Sequence, residues 1–177
     1  HILQQLVGAV RRRFFGPSKM AHVQAGRCWV GSSAEIKALR KSKLREDLHP
    51  RIDSEMDYQQ LHLDDFFMDK RLVTNQEFAE FEPSHQHRYP DHEANFPVVN
   101  INFFQAQKYA NWLGKSLPSE VQWEKAARGT DGRLFPWGNE FEGQRVNSAE
   151  SDRRVLTAVD AFPEGSSPYG CLNMAGN

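Results

Sequence analysis

Two cysteines, Cys28 and Cys171, carry the most reactive side chains of this sequence. A thiolate is a nucleophile and a soft metal ligand, but metal sites and redox motifs that use it place cysteines in pairs at short spacing. These two residues are far apart and form no Cys-x-x-Cys motif. We therefore predict that both are small buried apolar groups, with a single disulfide between them as the alternative.

A segment rich in histidine is the second candidate for chemistry, with His85, His87, His92 and Glu93 close together in the sequence. Three imidazoles and a carboxylate are suitable ligands for zinc, iron or copper. However, their spacing matches neither a zinc finger nor the His-Glu-x-x-His helix, and two nearby prolines indicate a loop. We interpret the segment as a solvated surface loop, with a metal site as the alternative interpretation.

The overall composition is typical of one soluble globular domain. The chain has 177 residues, a net charge of -1, 39% hydrophobic residues and 25% charged residues. A nearly neutral chain gives no electrostatic reason to bind nucleic acid, and no stretch approaches the roughly 20 apolar residues that span a membrane. Few cysteines favour a cytoplasmic compartment. Because the chain begins at His1 rather than Met, we expect further sequence upstream.

The first residues predict an amphipathic helix, since their apolar side chains recur with a helical period and Gly16 follows them. We expect residues 1–16 to be an N-terminal helix or a linker to an upstream segment. Met20 to Val30 predicts a hairpin that turns at Gly26, because apolar and polar residues alternate on both sides of this glycine. The charged stretch 34–57 is interpreted as an insertion loop of uncertain order, with a short surface helix over Glu35 to Leu48 as the alternative, and Leu61 to Met68 as the next strand.

Three later helices begin with the same local signal, in which a short polar residue is followed three positions later by Glu or Gln. Glycines are placed where the second and third of these helices should end. The apolar faces are expected to bury Phe78, Phe104, Tyr109, Trp112 and Trp123. The capping pairs are Thr74 and Glu77, Asn102 and Gln105, and Ser119 and Gln122; the two glycines are Gly114 and Gly129.

After Gly129 the periodicity ends, and glycine, proline and polar residues alternate with aromatic residues. Such a loop-rich region needs partners other than a strand ladder for its buried backbone groups. We expect side-chain amides or bound cations to supply them.

Four stretches together resemble the formylglycine-generating enzymes and their relatives, the sulfatase-modifying factor (FGE-sulfatase) domain family. LDDFFMDKRLVTNQEFAEF is similar to a family block that contains Val-Thr-Asn, and FPVVNINFFQAQKYANW to one that ends in Tyr-x-x-Trp. GKSLPSEVQWEKAARGTDGRLFPWGN resembles the block with Leu-Pro-Thr-Glu and Pro-Trp-Gly. The last stretch resembles the family's Gly-Leu-Tyr-Asp-Met-x-Gly-Asn. The four stretches are Leu63 to Phe81, Phe96 to Trp112, Gly114 to Asn139 and Thr157 to Asn177.

The resemblance implies an α+β fold, a loop-rich variant of the C-type lectin fold with little regular structure in its C-terminal half. Residues 17–177 would form this domain, incomplete at its C-terminal end. Trp112, Trp123 and Trp137 match positions that are core positions in the family. The resemblance therefore predicts that all three tryptophans serve packing.

Structural calcium is also implied by the resemblance. The family takes a side-chain oxygen from the position of Asn147 and a carbonyl from that of Ser148, and an acidic residue downstream completes the site. Asp152 is the candidate for that residue, although the intervening loop is shorter here. A second family site corresponds to Gly176 and Asn177. A hard cation requires six to eight oxygens, so these residues supply only part of a coordination shell.

The implied activity depends on a pair of C-terminal cysteines, with which formylglycine-generating enzymes hold copper. This sequence ends at Asn177, before that pair, so we expect no catalytic residue and no enzyme activity in the chain as given. The hypothesis is a non-catalytic domain that binds a protein, peptide or other ligand, or that has a regulatory role, in a larger multidomain protein. One alternative is a copper-dependent oxidoreductase acting on a sulfatase cysteine, if the chain continues. Another is a hypervariable lectin-like binding protein.

Overall fold

The computed structural model describes residues 19–43, 46–148 and 155–177. The predicted helix over residues 1–16 lies outside this part of the chain. The strands are β1 (Met20–Val23), β2 (Gly26–Val30), β3 (Gln59–Leu63) and β4 (Phe66–Asp69). The helices are α1 (Ala34–Lys43), α2 (His49–Asp53), α3 (Asn75–Phe81), α4 (Phe103–Trp112) and α5 (Glu120–Arg128).

The four strands form one long antiparallel ribbon rather than consecutive hairpins. β1 pairs with β4, and β2 pairs with β3. Val23 faces Phe66 in the first half, and Gly26 faces Leu63 in the second. Both strands therefore advance by the same number of residues between these pairs, and the register is the same in both halves. The ladder is interrupted only between these two pairs, so β1 and β2 run on as two segments of one strand.

The predicted hairpin from Met20 to Val30 is therefore wrong. The structure bends the chain at residues 24–25 without folding it back, and a distant side chain satisfies the carbonyls at the bend. The ammonium of Lys125, on α5, donates to the Gln24 carbonyl at 2.7 Å and to the Gly26 carbonyl at 3.1 Å. Because these groups have a partner outside the ribbon, no tight turn is needed to satisfy them.

The stretch 34–57, interpreted from the sequence as a loop of uncertain order, contains α1 and α2. Three ion pairs connect α1 to the residues at and after the end of α2. This network gives the charged side chains of α1 partners within the same segment, although exposed pairs of this kind contribute little stability individually. The pairs are Lys37–Asp57, Arg40–Glu55 and Lys41–Asp53.

The three predicted helix starts are confirmed. Each of α3, α4 and α5 begins with a capping box. In this motif, the side chain of the N-cap residue accepts from the backbone N–H of the third helical residue, and the side chain of that third residue accepts from the backbone N–H of the N-cap residue. The predicted ends are confirmed as well: Gly114 follows Leu113, the C-cap of α4, and Gly129 is the C-cap of α5. Both glycines have positive φ, 68° and 73°, which other residues rarely adopt.

Two clusters of buried side chains form the core. The first lies between the β1–β4 half of the ribbon, α5 and the C-terminal residues. The second lies between α3, α4 and the segments that precede them. The first contains Ala21, Val23, Phe66, Met68, Ala126, Ala127, Cys171 and Met174, and the second contains Val73, Phe78, Val98, Ala106, Tyr109 and Ala110.

Two residues expected in the core lie on the surface instead. Phe104 is 71% exposed and Trp112 is 51% exposed. α4 buries Ala106, Tyr109 and Ala110, which follow each other at helical spacing, and the two larger side chains lie outside this narrow face. The expectation that Phe104 and Trp112 pack in the interior is therefore wrong.

Trp123 and Trp137, the other two tryptophans predicted to serve packing, are partly buried. Trp123 packs against the first core cluster, and Trp137 stacks on Phe135 with ring centroids 5.5 Å apart. Beyond Gly129, the described residues contain short 3-10 turns at Gly143–Arg145 and Pro163–Gly165, other turns and bends, and one isolated β-bridge between Phe135 and Gly138. The prediction of a C-terminal half with little regular structure is confirmed for these residues.

The structure is a small mixed arrangement of helices and a ribbon. None of the helices within the described ranges is long and apolar enough to span a membrane.

Candidate functional site

Both thiols lie in the interior, as predicted. Cys28 on β2 and Cys171 near the C-terminus have no exposed surface, and neither forms a disulfide. Burial raises the pKa of the Cys28 thiol, and it raises the pKa of Cys171 to about 11. Because the thiolate is the reactive form, these two residues are poor nucleophiles at neutral pH.

The histidine-rich segment forms two 3-10 turns, Pro83–Arg88 and Asp91–Glu93. His85 points into the interior, whereas His87 and His92 are exposed. Among the described residues, no group of three or more His, Cys, Asp or Glu side chains is placed to hold a metal ion. The structure therefore does not bring His85, His87, His92 and Glu93 together.

His85 instead connects its turn to α3. Its Nε2 lies 3.0 Å from the Asn75 side-chain oxygen, and the Asn75 amide donates to the Glu93 carbonyl at 3.0 Å. Because the Asn75 oxygen can only accept, Nε2 carries the proton and Nδ1 is the bare nitrogen. Burial, followed by the charge of Arg88, lowers the pKa of His85. A neutral imidazole with one bond to Asn75 has a packing role here.

Asn147 and Asn177, which were assigned to two separate calcium sites, contact each other in the structure. Asn147 is buried, and its amide nitrogen lies 2.8 Å from the Val155 carbonyl and 3.2 Å from the Asn177 side-chain oxygen. The same Asn177 oxygen accepts from the backbone N–H of Thr157 at 3.0 Å. We call Asn147, Val155, Thr157 and Asn177 the asparagine knot.

The other expected ligands have different outcomes. Gly176 contacts the knot so closely that a Cβ at this position would lie 2.5 Å from the Asn147 carbonyl oxygen. Ser148 follows Asn147 directly, and its hydroxyl is buried. Asp152 lies outside the described residues. The Val155 and Asn177 oxygens of the knot are hard ligands of the kind that calcium prefers, and here they accept hydrogen bonds from the Asn147 amide.

A groove of about 550 Å³ lies between α1 and the loop that follows α5. Its exposed apolar side chains are Leu39, 52% exposed, Tyr58, 41% exposed, and Leu134, 48% exposed. Ile36 and Phe135 line it as well. We call these five residues the apolar groove. Sequence reasoning missed it because α1 was interpreted as part of a loop; the spacing of Ile36 and Leu39 was the available signal.

Arg128 holds the two sides of the apolar groove together. Its guanidinium donates to the Arg133 carbonyl at 2.6 Å and to the Gly132 carbonyl at 2.8 Å on one side. On the other side it donates to the Gly31 carbonyl at 3.1 Å. Glu124 pairs with Arg128 and accepts from the Gly31 amide at 3.0 Å. The base of the groove therefore has its polar groups satisfied within the protein.

A profile of the family described as "Sulfatase-modifying factor enzyme 1-like domain" matches residues 10–177. The chain is 36% identical over 162 residues to the uncharacterized protein YfmG of Bacillus subtilis, a match that covers 67% of this chain and 33% of YfmG. It is 39% identical over 93 residues to the inactive C-alpha-formylglycine-generating enzyme 2 of Bos taurus, covering 46% and 31% of the two chains.

A further relative is the formylglycine-generating enzyme of Mus musculus, 37% identical over 100 residues, with coverage of 49% of this chain and 26% of that protein. The matches therefore span about a third or less of each relative's length. Relatives with a catalytic name and with an inactive name both match, so similarity alone does not assign the activity.

Proposed function

Because this chain belongs to the sulfatase-modifying factor enzyme 1-like family, we propose that it is a non-catalytic domain that binds a protein or peptide. The apolar groove is the single observation that carries this proposal. We further propose that the domain is a loop-rich variant of the C-type lectin fold and belongs to a larger multidomain protein. An experimentally determined structure of the full-length protein tests both of these points, and a different topology or a single-domain protein would contradict them.

The groove is suited to an apolar side chain flanked by backbone. Leu39, Tyr58 and Leu134 expose large apolar surfaces next to one another around one concavity. Contiguous exposed apolar surface of this kind is uncommon on soluble proteins unless a partner covers it. Burying one aliphatic or aromatic side chain of a partner would contribute roughly 1.5–3 kcal/mol before the costs of association. An extended peptide with one or two large apolar residues therefore fits best.

The two thiols also support a non-catalytic function for the described residues. Formylglycine-generating chemistry, by the resemblance, requires reactive cysteines, while Cys28 and Cys171 are buried and have raised pKa values. The alternative function is a copper-dependent oxidoreductase that acts on a sulfatase cysteine. The match to the mouse formylglycine-generating enzyme favours it. It requires a cysteine pair elsewhere in the full-length protein.

A structural calcium ion at the asparagine knot is a further part of the proposal. Asn147 and Asn177 would bind it through side-chain oxygens, together with the Val155 and Ser148 carbonyls, once the ion replaces the Asn147 amide nitrogen that here donates to Val155 and to Asn177. Asp152 would add the carboxylate that hard cations usually require. We therefore expect calcium to raise the melting temperature of the protein, because a ligand of the native state alone stabilises that state.

Peptide selection tests the groove. A library of displayed random peptides is selected against the full-length protein, and the affinity of enriched peptides is measured by fluorescence anisotropy. We expect enriched peptides to contain a large apolar residue. Leu39→Asp should weaken their binding at least about tenfold, because a carboxylate cannot be desolvated against an apolar side chain without cost.

Phe104→Asp is the matched control, since it places the same charge on an exposed apolar position of α4, away from the groove. Its affinity should equal that of the parent protein. Peptides that bind Leu39→Asp as tightly as the parent would contradict the groove assignment. Copper-dependent oxidation of a cysteine peptide by the full-length protein would contradict the non-catalytic function and leave the groove measurement unaffected.

A further inference from the structure

A second cavity, of about 280 Å³, lies at the opposite end of the ribbon from the apolar groove. Lys19 and Asp69, at the β1–β4 end, form one side of it, and Glu77 and Glu80 of α3 form another. Tyr109 of α4 also lines it. It shares no lining residue with the groove. We call it the polar pocket.

Tyr109 brings an unused hydroxyl to the polar pocket. The side chain is only 2% exposed, and its ring packs against Phe78 and Phe81 in the second core cluster. Within the part of the chain that the structure describes, the hydroxyl forms no hydrogen bond. Buried tyrosine hydroxyls usually have a partner. Burial and the neighbouring carboxylates raise the pKa of Tyr109, so this group is a neutral hydroxyl at physiological pH.

Three cations and three carboxylates line the pocket, and one of the cations, Arg71, pairs with Asp160 outside the lining at 3.6 Å. The Lys115 ammonium is 2.6 Å from a carboxylate oxygen of Asp69, and the Lys19 ammonium is 3.5 Å from that of Glu77. Glu80 is exposed at the rim and has neither an ion pair nor a hydrogen bond among the described residues. Asp69, Glu77 and Glu80 line the same pocket as Tyr109.

One part of the lining offers apolar surface to a short hydrocarbon chain, whereas Thr74, Gln76 and Asn95 are polar. Leu72, Val73, Leu113 and Val159 form apolar parts of the wall. The volume is several times the roughly 30 Å³ that one water molecule occupies in the liquid, so the cavity has room for more than a hydrated inorganic ion. An apolar wall next to an unpaired carboxylate complements a molecule with a short alkyl chain and one positive charge.

We propose that the polar pocket binds an alkylammonium or alkylguanidinium group, whose N–H groups donate to the Glu80 carboxylate and to the Tyr109 hydroxyl oxygen. The alkyl chain then lies against Leu72 and Val159. The group has two sources, a free amine or the lysine or arginine side chain of a protein, and both present the same chemistry. The site is distinct from the groove and does not depend on the function proposed for it.

Isothermal titration calorimetry of the full-length protein with n-butylammonium chloride tests the pocket, with sodium chloride at equal ionic strength as the blank. We expect saturable binding. Glu80→Gln should weaken it about tenfold or more, because the substitution removes the unpaired charge and keeps the size of the side chain. Tyr109→Phe should weaken it about threefold to tenfold through loss of one hydrogen bond. Tetramethylammonium, which has no N–H, should bind at least tenfold more weakly than n-butylammonium.

Glu140→Gln is the matched control, since it removes one exposed carboxylate outside the pocket; its affinity should equal that of the parent. A lysine-containing tripeptide, its acetylated form and n-butylammonium distinguish the two sources of the group. Tighter binding of the unacetylated tripeptide indicates a protein side chain, and tighter binding of n-butylammonium indicates a free amine. Either result supports the pocket. The absence of saturable binding for all amines, or an equal loss in Glu80→Gln and Glu140→Gln, would overturn the proposal. Circular dichroism of the Tyr109→Phe protein confirms that it folds, and the exposed Glu80→Gln variant provides the test if it does not.

Discussion

The hydrogen bond between His85 and Asn75 shows how one contact gives a candidate catalytic side chain a structural role. Histidine is the residue most often used for metal binding and proton transfer near neutral pH. Here the ring is buried, its Nε2–H is committed to Asn75, and Phe78 packs edge-on against it at 5.1 Å. The same reasoning applies to Cys28 and Cys171, whose burial raises the pKa of each thiol. Residue type alone therefore overestimates the reactivity of this chain.

His85 should make stability depend on pH in the acidic range. Its folded-state pKa is lowered from the ordinary value of 6.5. Above pH 6.5 the His85 ring is neutral in the folded and in the unfolded protein, so it adds no pH dependence to the free energy of unfolding. As the pH falls below 6.5, the unfolded chain takes up a proton that the native protein resists, so the free energy of unfolding decreases until the folded-state pKa is reached.

Urea unfolding between pH 7.5 and pH 5 measures this contribution, which amounts to about 1.4 kcal/mol per pH unit at most. His85→Gln should reduce the pH dependence, whereas His87→Gln, on the exposed side of the same turn, should leave it as in the parent protein. Equal slopes for His85→Gln and the parent would show that His85 does not carry the effect.

At the scale of elements, a helix and a ribbon are joined by one buried lysine. Lys125 has no exposed surface, and its ammonium donates to the carbonyls on either side of the interruption between β1 and β2. It thus gives two carbonyls at this interruption a donor from α5. Arg128, one turn later on α5, does the same for Gly31 and the loop at Gly132. α5 therefore holds the ribbon with cations as well as with apolar packing.

Lys125→Met should destabilise the protein although it removes a buried charge. The methionine fills much of the same volume, but the Gln24 and Gly26 carbonyls lose their donor, at a cost of roughly 1–3 kcal/mol each. We expect the free energy of unfolding to fall by about 2 kcal/mol or more in urea denaturation. Lys108→Met, on the exposed face of α4, is the control and should change it by less than about 0.5 kcal/mol. If Lys125→Met has the same free energy of unfolding as the parent protein, the two carbonyls at the bend need no donor.

Across the whole molecule, the asparagine knot brings the C-terminal residues onto the middle of the loop-rich half. Asn147 and Asn177 are 30 residues apart, and Asn177 also accepts from Thr157 and donates back to it. Regular secondary structure is sparse here among the described residues, so side-chain amides satisfy backbone groups instead. This is the role that the composition predicted for amides after Gly129.

Thermal unfolding with and without a chelator tests calcium at the knot. We expect chelator to lower the melting temperature of the parent protein and excess calcium to restore it. Asn147→Ala should be about 1–3 kcal/mol less stable than the parent, because it leaves the Val155 carbonyl without its donor. Its melting temperature should no longer respond to chelator. Asn111→Ala, at an exposed position on α4, should respond as the parent does.

A parent protein whose melting temperature is the same in chelator and in calcium would contradict the metal site. The knot would then be held by its hydrogen bonds alone. In that case Asn147→Ala should still lose stability, which separates the hydrogen-bonding role of Asn147 from the calcium proposal.

The capping boxes of α3, α4 and α5 and the glycines that end α4 and α5 were all predictable, because each depends on residues within about four positions. The family followed from four blocks whose residues are contiguous in the sequence. The burial of His85 and the exposure of Trp112 were not predicted, because their surroundings are set by other elements. Periodicity identifies an apolar face, but it does not show which residues at its edge another element covers.

Strand pairing, the apolar groove and the asparagine knot were decided by the tertiary structure alone. Each joins residues far apart in the chain: Lys125 and Gln24 are separated by 101 positions, and Arg128 and Gly31 by 97. Closing such long loops costs conformational entropy that only the combined packing of many elements repays. Helix ends can therefore be read from neighbouring residues, whereas the positions of the binding surfaces depend on the packing of the whole chain.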